Sequence, residues 1–198
     1  MNNKDWKGNT QAIMKNIGAS NHSNNERQSH DFYATEPKAL ELLLKLETFN
    51  NVWECAVGNG HLANVLQKHN ILNRASDLVV RDYPCEQLDF LAIDNLEYNG
   101  DIITNPPYRY ANEFILKAIN IINTNNKLAL LLPIRYLEGK ARKQIFRTCP
   151  PKIIYVSSGR IKCAINGNFK QMTGSAVGYA WFVWQKGYKG KSIIDWFN

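Results

Sequence analysis

The sequence predicts a single α/β domain built on a mostly parallel sheet, with helices on both faces. Three observations predict it. Short buried strands alternate with amphipathic helices along the chain. A Gly58-Asn59-Gly60 turn follows the first strong strand, and an Asn105-Pro106-Pro107-Tyr108 run follows a later one. Both breaks fall where strands of such a sheet reach their carboxyl ends.

The elements follow in order. The first thirty residues hold seven asparagines and little apolar periodicity, so residues 1–30 read as a flexible arm and the packed domain as residues 31–198. Thr35-Glu36-Pro37 looks like a helix start, with Thr35 as N-cap and Pro37 in the first turn, and Leu40, Leu43 and Leu44 follow on one face. Residues 51–57 read as a buried strand, and Leu62, Val65 and Leu66 give the next helix its apolar stripe. Another strand ends near Asp77, and one more runs through 101–104. Phe114, Ile115, Ala118, Ile119 and Ile122 then mark a helix. Leu128 to Leu132 is a continuous apolar run, as expected of a central strand covered on both faces, and Val177 to Gln185 is a long aromatic strand. Trp181 and Trp184 belong to its core faces.

Composition narrows the function classes. The 198 residues suffice for one buried core, no apolar run spans a membrane, and no secretory leader is visible, so a soluble, cytoplasmic protein is expected. Cys55, Cys85, Cys149 and Cys163 have neither zinc-finger nor paired spacing, so no metal and no disulfide framework is expected. Charge is uneven: residues 1–126 carry 11 Lys and Arg against 15 Asp and Glu, whereas residues 127–198 carry 13 against 2. A localised cationic surface attracts polyanions, which makes nucleic acid the leading partner class.

The glycine turn removes Cβ atoms where the backbone must bend and a ligand must come close. Gly58, Gly60 and Ala63 fit G-x-G-x-x-A, and Asp77 stands 17 residues after Gly60 to meet ribose hydroxyls. That pattern alone leaves a nicotinamide cofactor and S-adenosylmethionine both open. Glu54 favours the second, because a carboxylate there can face a cationic amino group and offers a pyrophosphate nothing. His61 follows the turn, either near the cofactor or as a helix-start histidine bonded to backbone.

The Asn-Pro-Pro-Tyr run is the more specific feature. Two prolines cannot continue a central strand, so the chain leaves the sheet at Asn105, beside the glycine turn. Asn105 Oδ1 and the Pro106 carbonyl can accept both hydrogens of an exocyclic amine, while Tyr108 offers a ring face to a planar base.

Glu54-x-Ala56-x-Gly58-x-Gly60 followed by Asn105-Pro106-Pro107-Tyr108 resembles the S-adenosylmethionine-dependent amino-methyltransferases. The motif order resembles the gamma arrangement of N6-adenine DNA methyltransferases. The likeness to small phage- and prophage-borne members extends over residues 31–198, through Asp31-Phe32-Tyr33-Ala34-Thr35-Glu36-Pro37, Leu137-Glu138-Gly139-Lys140-Ala141-Arg142 and Tyr179-Ala180-Trp181-Phe182-Val183-Trp184. It implies a Rossmann-like methyltransferase fold with a mostly parallel seven-stranded sheet. It also implies S-adenosylmethionine as cofactor: Tyr33 and Thr35 at the methionine end, Glu54, Ala56, Gly58 and Gly60 around the amino acid, Asp77 on the ribose. Asp89 and Phe90 would hold the cofactor's adenine, and Asn105 to Tyr108 the target base, with Asn105 also touching the cofactor. Two departures stand out. The family tetrad often begins with Asp, and Cys163 stands where an aromatic is expected after Arg160; Phe169 is the substitute the sequence offers.

The expected activity is methyl transfer to the N6 amino group of adenine in DNA, with the base flipped out of the duplex. Arg135, Lys140, Arg142, Lys143, Arg147, Lys152, Arg160, Lys162 and Lys170 are the candidate phosphate contacts. An adenine on RNA or a protein glutamine presents the same planar amine to the tetrad. A dehydrogenase would leave the tetrad unexplained, and a non-catalytic binder of cofactor or DNA remains a further class. The region after the tetrad is small, so a short recognition sequence or help from a second copy in a homodimer is expected.

Overall fold

The computed structural model describes residues 33–165 and 177–198. The expected flexible arm at 1–30, together with Phe169 and Lys170, lies outside the described residues. The strands are β1 (Tyr33–Thr35), β2 (Val52–Glu54), β3 (Leu72–Asp77), β4 (Glu86–Gln87), β5 (Ile102–Thr104), β6 (Lys127–Pro133), β7 (Ile153–Ser157), β8 (Cys163–Ile165), β9 (Tyr179–Gln185) and β10 (Ile193–Phe197). The helices are α1 (Pro37–Leu43), α2 (His61–Lys68), α3 (Ala111–Ile121) and α4 (Lys140–Thr148).

Eight strands form the main sheet in the order β10-β7-β9-β6-β5-β2-β3-β4, one more than the seven expected. Within that sheet, among the described residues, β9 alone runs antiparallel to its neighbours, β6 and β7. Two strands of this sheet, β4 and β10, escape periodicity for different reasons. β4 is two residues long, and β10 is an edge strand whose first four residues are exposed.

Alternation along the central strands divides the core. Leu128, Leu130, Phe182 and Trp184 pack with Phe114 and Ile115 of α3 and Ile145 of α4. Ala129, Leu131, Trp181 and Val183 pack with Leu40 and Leu43 of α1 and Leu66 of α2 on the opposite face. Two covered faces explain why β6 reads as an unbroken apolar run. The two tryptophans are fully buried, as expected, and their indole N–H groups donate to the carbonyls of Ala39 and Cys149, both at 3.0 Å.

Thr35 is not the N-cap of α1. It is the last residue of β1, an antiparallel partner of β8 in register Thr35↔Cys163, and Glu36 takes the cap position with Pro37 following it. The strand order reverses between β2 and β5, and the crevice at their carboxyl ends is the usual ligand position of such sheets. Among the described residues, no helix is long and apolar enough to cross a membrane, and no cluster of His, Cys, Asp and Glu is arranged to hold a metal.

Candidate active site

A narrow cleft of about 20 Å³ opens at that reversal, lined by Thr35, Glu54, Ala56, His61 and Asn105 among others. Glu54 ends β2 and Asn105 follows β5, so two motifs 51 positions apart in sequence meet through neighbouring strands. The Glu54 side chain is almost wholly buried. The Ala56 amide donates to its Oε1 at 3.4 Å, and Oε2 meets no hydrogen-bond donor among the described residues. Burial pushes the Glu54 carboxyl up to about 8, a rise that the Thr104 hydroxyl and the Ala56 amide oppose and the Asp77 charge adds to. A buried acid with an unmet oxygen suits a cationic ligand group.

The glycine turn is held from β3. The Gly58 amide donates to Asp77 Oδ2 at 2.7 Å, while Asp77 Oδ1 accepts from the Val79 amide at 3.0 Å and from Arg81 at 3.3 Å. Gly58 and Gly60 both take positive φ, 55° and 81°, and α2 starts directly after. The Tyr83 ring lies on Gly60: a Cβ built there would come within 2.1 Å of Tyr83 Cδ2. Sequence periodicity has no signal for this contact, because the loop between β3 and β4 carries no repeat. His61 opens α2 and lines the cleft, and burial lowers its pKa.

Asn105 is half-buried at the mouth of β5, Pro106 is buried and Pro107 is exposed. The Pro107 carbonyl closes a single 3-10 turn by accepting from the Tyr110 amide at 2.9 Å, whereas no described backbone donor meets the Pro106 carbonyl. The Tyr108 hydroxyl is buried and its pKa raised, by burial first and then by Cys163 and Tyr179. The ring beside it is Tyr179, with centroids 6.2 Å apart. Tyr179 reaches this place because β9 pairs Tyr179 with Pro133 at the carboxyl end of β6. Cys163, where an aromatic was expected, is buried in the same group, and burial pushes its thiol up to about 11.

No family model matches the sequence, and no curated protein does. Solved structures do. One from Listeria monocytogenes, assigned as a class I S-adenosylmethionine-dependent methyltransferase, aligns with TM-score 0.48 and 13% identity over 81% of this chain and 62% of that one. A modification subunit assigned to a type I restriction enzyme from Vibrio vulnificus YJ016 aligns with TM-score 0.55 and 11% identity over 92% of this chain and 48% of that one. The type I restriction enzyme EcoKI M protein aligns with TM-score 0.51 and 15% identity over 79% and 44%. The chain has a Rossmann-like methyltransferase fold. It spans about half the length of those two modification proteins.

Within this methyltransferase fold the remaining expected positions divide. Asp89 is exposed at the start of a 3-10 turn and accepts from the Leu91 amide at 2.9 Å, just past β4. Phe90 is a core residue instead of an open ring face: it is 2% exposed, stacked on Phe114 at 5.0 Å and edge-on to Trp53 at 5.3 Å. Tyr33 is placed by its backbone alone, opposite Ile165.

The expected phosphate contacts divide too. Arg142 lies over the Tyr136 ring and donates to the carbonyls of Arg135 and Glu138, at 3.0 and 2.9 Å, and Lys152 donates to Gln185 at 2.7 Å. Both serve the fold. Arg135, Lys140, Lys143, Arg147 and Arg160 are exposed.

Proposed function

We propose that this chain transfers a methyl group from S-adenosylmethionine to the N6 amino group of adenine in DNA. The observation that carries the reading is the meeting of Glu54 and Asn105 in one cleft at the reversal of strand order. A carboxyl group suited to an ammonium and an acceptor suited to an exocyclic amine are useful together only if donor and acceptor of a transferred group bind side by side.

The residues present fit the cofactor. The buried Glu54 with its unmet Oε2 answers the amino group of the methionine part. The positive-φ turn at Gly58 and Gly60 lets a ligand approach the backbone, and Asp77, which organises that turn through three donors, retains one acceptor position for a ribose hydroxyl. Thr35 and Ala56 complete the wall, Tyr33 belongs to the strand beside it, and Asp89 with the turn backed by Phe90 takes the adenine end. When bound, S-adenosylmethionine supplies an activated sulfonium methyl group.

The chain's own part is acceptor activation. Adenine N6 is a weak nucleophile because its lone pair is delocalised into the ring. Asn105 Oδ1 and the Pro106 carbonyl, accepting one amino hydrogen each, draw the nitrogen toward tetrahedral geometry and localise that pair. Pro106 and Pro107 hold the acceptors rigid, and Tyr108 stacks on the base. The proton released after transfer goes to water, so no strong base is needed beside the tetrad. The cationic surface of residues 127–198 supports DNA as the polyanion that presents the base, as do neighbours named as restriction-modification proteins.

The test is transfer of a tritiated methyl group to adenine-containing duplex DNA, to RNA and to a glutamine peptide in parallel. Label in N6-methyladenine of DNA, lost in Asn105→Ala with cofactor binding retained, is the expected result. Label confined to RNA or peptide, or to DNA bases other than adenine, overturns it.

A further inference from the structure

We infer that the exposed stripe of α4 and the groove at its end hold the phosphate backbone of the DNA along the side of the domain, away from the catalytic cleft; this rests on the reading of DNA as substrate. Lys140, Lys143 and Arg147 fall within about 60° of one another at 3.6 residues per turn, opposite the buried Ile145. All three are exposed, and none forms an ion pair among the described residues. Four cations elsewhere are ion-paired, Lys68 with Glu41, Arg74 with Glu86, Arg81 with Asp77 and Lys127 with Glu47, whereas the exposed Lys38 and Lys45 are single charges away from any such stripe. Two of the three also run against their own helix, whereas Arg147, in its last turn, complements the dipole. Lys140 and Lys143 sit in the first turn of α4, which has no acidic residue, so their charges face the positive end of the helix dipole. Charges placed at a cost to the helix need a partner outside it.

The stripe leads into a second groove of about 470 Å³, lined by Phe146, Arg147, Tyr188, Lys189 and Lys191 among others. Arg147 belongs to both. This groove lies at the end of β9 that pairs with Lys127, the amino edge of the sheet, whereas the catalytic cleft is at the carboxyl edge. Cations therefore run from Arg135, next to α4, past Lys140, Lys143 and Arg147 to Lys189 and Lys191. After Glu138 the sequence contains one carboxylate, Asp195. The spacing suits a nucleic-acid strand: nine helical residues cover about 13 Å, the axial length of about four base pairs of duplex. The DNA thus passes beyond the flipped base over α4 on one flank only.

The test compares wild type with K143E/R147E and K189E/K191E, and with the milder Lys143→Gln/Arg147→Gln. Duplexes carry the target adenine with either flank trimmed separately. In wild type, KM rises about tenfold when one particular flank is cut below ~4 base pairs, and is indifferent to the other. In the variants that ratio falls to about one, and the slope of log Kd against log salt decreases by about 2 for each pair of cations removed. A far-ultraviolet circular dichroism spectrum matching that of wild type for K143E/R147E shows that the helix is intact. Variants that keep both the flank dependence and the salt slope overturn the path while leaving the function standing. A wild type that binds no DNA, or prefers anionic vesicles or an acidic protein to DNA, overturns both.

Discussion

The Gly58 amide donates to Asp77 Oδ2 at 2.7 Å, tying the glycine turn after β2 to the last residue of β3. The bond decides what Asp77 can do. A carboxylate that already organises a turn through three donors is pre-set before any ligand arrives.

Asp77→Ala should therefore lower stability as well as cofactor affinity. Losing the charged acceptor and leaving the buried Gly58 amide unmet costs about 2–3 kcal/mol. Urea unfolding without cofactor measures it; an unchanged midpoint would show that the turn holds itself.

Glu54 should make both stability and cofactor binding depend on pH. Its carboxyl is raised by burial to about 8 from the 4.5 of an ordinary Glu, so the folded protein retains a proton the unfolded chain has lost. Stability from this group is present below about pH 4.5 and declines as pH rises through about 8. Glu54→Gln removes the decline, and its melting temperature gains on wild type over that window.

The same proton must leave when a cationic amino group binds beside it. Affinity for S-adenosylmethionine is expected to rise between pH 6 and about 8 with release of a proton, seen by calorimetry in buffers of differing ionisation heat. Glu54→Gln abolishes the proton release and weakens binding by about 10- to 100-fold, the worth of one charge-assisted hydrogen bond. Binding without proton exchange would place the ligand amine elsewhere.

At Gly60 two separate costs meet: a φ of 81° and the Tyr83 ring, 2.1 Å from where a Cβ would stand. Gly60→Ala should destabilise by more than ~1 kcal/mol. Adding Tyr83→Ala should recover the steric part and leave the backbone part, a coupling that a double-mutant cycle reads directly. Strict additivity would mean that ring and turn are not in contact.

Tyr108 separates ring from hydroxyl. Its hydroxyl is buried near Cys163 and Tyr179, so Tyr108→Phe should lower stability by about 1 kcal/mol and leave methyl transfer near wild type. Tyr108→Ala removes the stacking face as well and should raise KM for DNA by about tenfold or more. Equal activity losses in the two variants would assign the hydroxyl, not the ring, to the substrate.

Much of the arrangement is legible in the sequence alone. The central strands, the helix faces and the two breaks at Gly58 and Asn105 are local matters: a residue's size, its missing Cβ or its missing N–H constrains its own backbone, and that constraint is written in the chain. The parallel sheet and the meeting of Glu54 with Asn105 follow from those breaks, because both fall at carboxyl ends of strands in one sheet. What the sequence could not decide depends on which distant strands become neighbours. Thr35 pairs with Cys163, Tyr179 arrives beside Tyr108, and Arg142 lies over Tyr136 with its charge engaged by backbone carbonyls. Only packing sends Phe90 into the core and leaves Lys143 and Arg147 facing water. Periodicity tells which side of an element is apolar; the tertiary structure alone determines what that side meets, since contact energies act between segments whose separation along the chain carries no signal.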